Sequence, residues 1–286
     1  MITTGVTNRN FIRFLKAGAF GMADEETEPM SDYKWQRLFE TALVHRVGHI
    51  ILKGAEMHSS DRWFNSNGNL SELNNDVPEA EDIDAIIDRI LKIGVKDVDG
   101  LYTSLSNRGL RKTLKRIIRE EIRSKETNLP ALHLLCLLVY NINTTLTYGM
   151  RMNGIVILGR YLREKGDRVD FVKLDLWIKR LMMVHFADLL GNILMLLFSF
   201  DEGEIPFMHS KDSNAEEILT WTLDNVGSEN DNESYFVQLS SGFIANDRTV
   251  IRRNLKRGLR YVRYYPTETV SNFFSKYMKN LPQIEE

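Results

Sequence analysis

The chain has 286 residues, 43% of them hydrophobic and 27% charged, with 37 Lys and Arg against 39 Asp and Glu for a formal charge of −2. This balance excludes a disordered chain and a multi-span membrane protein, and it sets up no global field that would advertise nucleic acid or a membrane as partner. A single cysteine, Cys136, excludes an intramolecular disulfide and any thiolate-rich zinc site.

Taken in order, the N-terminus lacks the basic start and unbroken apolar core of a secretory leader, so the expected compartment is the cytoplasm. Phe11, Ile12, Phe14, Leu15, Ala19 and Phe20 form a first helical stripe, with Asn8 or Asn10 as its cap. Ser31 is placed to cap a second helix carrying Trp35, Leu38, Phe39, Ala42 and Leu43. Residues 59–78 lapse into Asn, Ser and Asp and read as a long loop, the best candidate boundary in the chain. Helix resumes over 79–93, acids first and Lys92 last, as the helix dipole favours. Strand signals are confined to 95–101 and 235–239, which leaves room for a small degenerate strand element near 59–100.

Leu110, Leu114, Ile117, Ile118 and Ile122 stripe the next helix, whose outer face carries Arg111, Lys112, Lys115, Arg116 and Arg119. Because Glu120 and Glu121 interrupt the run from Arg108 to Lys125, it reads as an ordinary solvated face. Pro130 suits the first turn of a helix from Leu129 to about Thr145. Cys136 lies there among leucines and reads as a small buried apolar side chain. Helices follow at about 148–165, 170–183 and 185–199. The most apolar stretch, 181–198, is interrupted by His185, Asp188 and Asn192, so it reads as a buried helix with Met182, Met183 and Met195 as core filler. A loop at 203–213, a helix at 216–226 and an acidic turn at 227–233 precede two last helices, 248–263 and 267–281, parted at Pro266. No repeat of fixed period is apparent. The expected fold is all-α for the most part, a single core of about ten helices over residues 1–286.

Asn10-Phe11-Ile12-Arg13-Phe14-Leu15-Lys16-Ala17-Gly18-Ala19-Phe20-Gly21, followed by Trp35-Gln36-Arg37-Leu38-Phe39 and His45-Arg46-Val47-Gly48, resembles the helical start of a nucleotidyltransferase-like family. His133-Leu134-Leu135, Tyr148-Gly149-Met150-Arg151, Asp170-Phe171 and Leu174 through Leu197 are similar to the helical region after that family's catalytic sheet. Arg260-Tyr261-Val262-Arg263-Tyr264-Tyr265-Pro266 looks like the basic-aromatic tail of some members. The resemblance implies metal-dependent transfer of a nucleotide moiety, with Mg²⁺ held on the triphosphate by an acid–apolar–acid pair about ten residues after a Gly-Ser or Gly-Gly turn. The sequence departs from that pattern. Asp82-Ile83-Asp84 follows Gly54 at too great a distance, and the nearer Gly68 follows Asn65-Ser66-Asn67, which is no core strand. Gly68, Asp82 and Asp84 are therefore only weak catalytic candidates, and the two acids suit a helix N-terminus better.

His45 and His49 are spaced by four, as in a helical zinc pair, with His58 and Glu56 as extra donors, but Arg46 stands where a metalloprotease has Glu. His133 and His209 are scattered, and His185 reads as a core histidine. There is neither a Gly-x-Ser-x-Gly elbow nor a P-loop. The sharpest charge feature is near the C-terminus, where Arg248, Arg252, Lys256 and Arg260 recur every four residues beside Arg253, Arg257 and Arg263. Ile251, Leu255, Leu259 and Val262 form the opposing face. With Tyr261, Tyr264 and Tyr265 this helix could dock an acidic partner, an acidic loop of the same chain (24–28 or 224–233), or nucleic acid. The expectation is a non-catalytic helical interaction protein that binds a protein partner through this face, with no metal, no cofactor and no membrane association. The alternatives are a nucleotidyltransferase with a degenerate site, requiring Mg²⁺, and a nucleic-acid accessory protein.

Overall fold

A computed structural model describes residues 5–62, 64, 105–224, 255, 256 and 258–280. Helix is the rule throughout, and there is no strand among the described residues. The helices are α1 (Val6–Phe20), α2 (Asp32–Val44), α3 (Gly48–Met57), α4 (Arg108–Arg123), α5 (Leu129–Tyr148), α6 (Met152–Lys165), α7 (Phe171–Arg180), α8 (Val184–Phe198), α9 (Ala215–Asp224) and α10 (Pro266–Asn280). Of the polar loop expected at 59–78, residues 59–62 and 64 are described and are non-helical; the rest of it, the helix over 79–93 and both strand candidates lie outside the described residues.

Two packed groups make the body. In the first, α1 lies along α3 and also touches α2; in the second, α5 packs on α4, α6 and α7. Helices α6 and α8 meet each other and both reach α1, which joins the groups into one core. The α1–α3 crossing is set by glycine. A Cβ on Gly18 would stand 1.9 Å from the Ile50 carbonyl oxygen, and one on Gly54 would stand 1.9 Å from the Phe14 carbonyl oxygen. Only side-chain-free positions let two helix backbones approach so closely.

Helix α5 is the spine of the second group. By length and composition it could cross a membrane, yet 78% of its apolar window is buried inside the molecule. Asn128 caps it by accepting from the Ala131 N–H, and Asn141 donates to the Leu137 and Gly154 carbonyls at the α5–α6 contact.

Several expected boundaries shift for identifiable reasons. Asn8 and Asn10 do not cap α1, which starts at Val6; both are buried tethers inside it. Asn8 donates to Asp224 at 2.6 Å, and Asn10 exchanges two hydrogen bonds with the Glu28 backbone. The stretch 181–198 is not one helix. α7 ends at Arg180, Met182 takes φ 57°, and α8 begins at Val184. The same turn joins α2 to α3, with Arg46 at φ 55°. In each, the residue at positive φ donates to the carbonyl three back and the next residue donates five back (Arg46 to Leu43, Val47 to Ala42; Met182 to Lys179, Met183 to Ile178). These are Schellman turns without the usual glycine.

Candidate functional site

Of the residues singled out from sequence, Gly68, Asp82, Asp84, Arg248, Arg252, Arg253 and Arg257 lie outside the described residues. Lys256 is exposed on a helical turn, and the Arg260 guanidinium lies over the Trp221 ring. The tail tyrosines are not a stacking platform. Tyr261, Tyr264 and Tyr265 are 0%, 5% and 0% exposed, and the Tyr265 hydroxyl donates to the Leu181 carbonyl at 2.6 Å. Burial raises the pKa of both Tyr264 and Tyr265. The apolar face expected beneath the cations is also displaced. Leu255 and Leu259 are exposed, because Gly258 and Tyr261 are the positions that turn inward, Gly258 against Thr269.

The histidines do not assemble a metal centre. His45 ends α2 and His49 lies in α3, so the left-handed Arg46 turn breaks the helix on which a zinc pair would need to sit. His45 is buried beside Phe11, and its pKa is pushed down to about 3, by burial first and by the Arg151 charge second. His58 is buried too, its Nδ1 2.9 Å from the Asp61 carboxylate. His185 is exposed rather than in the core, since the first turn of α8 directs Phe186 and Ala187 inward. Among the described residues no group of three or more His, Cys, Asp or Glu side chains is placed to hold a metal ion. Cys136 is buried as expected, its thiol pushed up to about 12 by desolvation.

Acidic side chains reach inward to satisfy backbone or pair with neighbours. The 21–31 loop is clamped to α1: Glu28 accepts from Arg9 at 2.6 and 2.7 Å and from Arg13 at 2.8 Å, while Glu25 faces Arg13 and Lys16. The Arg9 hydrogen bonds, with Arg13 beside them, hold the Glu28 carboxyl down to about 2. Glu25 and Glu28 therefore serve α1. Buried Asp188 accepts from the His209 N–H at 2.7 Å and the Ser210 hydroxyl at 2.8 Å. Buried Glu268 accepts from the Ser106 and Asn107 N–H groups ahead of α4, with burial raising its pKa.

The same habit recurs on the helix whose basic run sequence reading discounted. On α4, Glu121 is turned into the core at 6% exposure, where it accepts from the Asn128 N–H at 2.5 Å and from Lys173 Nζ at 3.1 Å. Ile122, expected inside, is 43% exposed instead. Glu121 lies on the side of α4 opposite Arg108, Lys112, Arg116, Arg119 and Arg123, which are all exposed at intervals of three or four along one face. At 1.5 Å per residue they span about 22 Å. Glu120 is the acid that stays outside, and its ion pair with Arg116 is a long 3.9 Å. The i, i+4 spacing was visible in sequence, and so was the place of Glu121 on the stripe of Leu110, Leu114, Ile117 and Ile118, which the choice of Ile122 passed over.

Two hollows are lined by described residues. One of about 60 Å³ lies among Arg13, Lys16, Glu25, His58 and Ser199. The other is an open groove of about 450 Å³ where the end of α1 meets α3 and α6, with Lys53, Arg160 and Arg163 on its rim. No family model matches the chain, and neither the curated proteins nor the solved structures contain a match to it.

Proposed function

We propose that this protein is a non-catalytic helical interaction protein, related to nucleotidyltransferase-like proteins through its helical segments, that works in the cytoplasm by binding an acidic protein partner. The observation that carries the reading is the exposed cation row of α4, which only Glu120 tempers from the same face. A row of fixed positive charge about 22 Å long matches an acidic helix or extended acidic segment better than a compact ligand. Lys256, also exposed, belongs to the C-terminal basic run and adds to the same chemistry. Burial of Tyr261, Tyr264 and Tyr265 favours a protein over nucleic acid, because single-strand binding draws much of its strength from aromatic stacking.

The test is fluorescence anisotropy with a Glu-rich peptide and a single-stranded oligonucleotide of equal charge. The peptide should bind the full chain and lose at least tenfold in affinity, about 1.4 kcal/mol, when Lys112, Arg116 and Arg119 are replaced by Glu. Tighter binding of the oligonucleotide, or peptide binding that survives charge reversal, refutes the proposal. Mg²⁺-dependent labelling of a partner from a nucleoside triphosphate would overturn the non-catalytic half.

A further inference from the structure

The groove between α1, α3 and α6 has the size of a small-molecule site rather than of a packing defect, since such sites run from about 300 to 1,000 Å³. Its bed is the C-terminal turn of α1, Ala17 to Gly21, where small residues bring the backbone close to the surface. Phe20, half-buried, and Met57, 43% exposed, add apolar walls. The rim carries Lys53, Arg160 and Arg163 against a single acid, Glu164. Apolar bed and cationic rim together suit an anion with an apolar body.

The cations differ in how they are held. Arg163 is pre-organised: its guanidinium lies 4.8 Å from the Phe20 ring centre and 4.2 Å from that of Phe200. Its Nη2 donates to the Phe198 carbonyl at 3.1 Å, and its Nε faces Glu204 at 3.4 Å. A guanidinium has five N–H donors, so this anchoring leaves an edge for an incoming oxyanion. Arg160 stands 3.6 Å from Glu164, one turn on along α6. Lys53, exposed on α3, makes no ion pair or hydrogen bond with any described residue. The α1 C-terminus, where the Gly21 and Met22 N–H groups bond the Ala17 and Lys16 carbonyls, is an acceptor end, so an anion belongs on the cationic rim and the apolar body on the α1 bed.

We propose that this groove binds a small organic phosphomonoester, its phosphate between Lys53 and the two arginines and its apolar body against Phe20 and Met57. A planar fork and a mobile ammonium are the complementary donors that phosphate recognition uses. The proposal is independent of the acidic-partner reading, which rests on α4.

Phenyl phosphate is the probe, titrated into the full-length protein by calorimetry, with phenol and inorganic phosphate as half-ligands. Phenyl phosphate should bind with a dissociation constant of about 1 mM or tighter, and more tightly than either half. Lys53→Glu should weaken it at least tenfold, whereas Lys112→Glu, on the α4 face, should leave it unchanged. Both positions are exposed, so both variants should fold. No binding at 10-fold that concentration, binding no tighter than inorganic phosphate, or equal weakening by the two variants overturns the proposal.

Discussion

The α1–α3 crossing turns one methyl group into a measurable quantity. A Cβ on Gly18 would meet the Ile50 carbonyl at 1.9 Å from oxygen and 2.8 Å from carbon, and one on Gly54 would meet Phe14 at 1.9 and 2.7 Å. Ordinary contact begins near 3.4 Å, so the helices must part by 1.5 Å. The obstacle is backbone, which cannot swing aside like the end of a side chain. A gap of 0.5–1 Å already forfeits a quarter to a half of a contact's attraction. Phe11, Phe14, Leu15, Ile51 and Ala55, all 0% exposed, line this group and share the loss. Overpacking costs about 1–3 kcal/mol, and a backbone clash belongs at the upper end, so Gly18→Ala and Gly54→Ala should each cost about 3 kcal/mol. The double variant should cost at least about 1 kcal/mol less than the sum, because parting the helices once makes room for both methyls. Gly166→Ala is the control. Nothing lies within 4 Å of its Cβ and its φ is −54°, so it should gain about 0.4–1 kcal/mol. Urea midpoints at constant m-value read all four. Single variants within about 0.5 kcal/mol of the parent, or strictly additive costs, would refute the close-crossing argument.

Two further outcomes follow from buried and strained positions. His45 has a folded pKa of about 3, so between 6.5 and 3 the unfolded chain binds a proton that the folded chain refuses. The stability this contributes is complete above 6.5 and is lost as pH falls, at up to about 1.4 kcal/mol per pH unit. His45→Leu should flatten the dependence of the urea midpoint between pH 6.5 and 5, and an unchanged slope would show that His45 is not its source. Met182 holds φ 57° without glycine's freedom, and its side chain is 59% exposed. Met182→Gly should therefore raise stability by up to about 1 kcal/mol, read as a higher Tm; a lower Tm would mean that the side chain makes a contact worth more than the strain.

The helices were legible because their signal is local. Periodic apolar residues and the Pro130 and Ser31 positions are fixed by the chain within one or two turns, and they reappear as α5 and α2, although Ser31 holds the N-cap position without a side-chain capping bond. What sequence left hidden depends on a partner far along the chain. Asn10 looks like a cap until Glu28 folds back onto it, and Glu121, on the apolar stripe of α4 by its spacing, has no visible partner there until Lys173 and the Asn128 N–H arrive. Tyr265 looks like a recognition residue until its hydroxyl finds Leu181, 84 positions earlier. The glycine pair at the α1–α3 crossing had a readable component, since Gly18 and Gly54 each stand inside a helical pattern where glycine is costly. Lys53 and Arg163 share no sequence signal at all, because the groove exists only once α1, α3 and α6 have packed.

The near-zero formal charge argues against a global field for nucleic acid or a membrane, but it says little about a local anionic contact, and the fold explains why. Composition counts every charge equally, but the field outside the molecule depends on the exposed ones. Several acids here are consumed by the architecture. Glu28 clamps a loop to α1, Glu121 ties α4 to α5 and α7, Asp188 holds the 209–210 loop, and Glu268 secures the entry to α4. Carboxylates suit this work because a short side chain with two acceptor oxygens can satisfy backbone N–H groups from inside. Guanidinium and ammonium groups sit on long stems that carry the charge back to water. Burial and pairing therefore take several carboxylates out of the external field, and a chain that sums to −2 can still present five exposed cations along a single helix face.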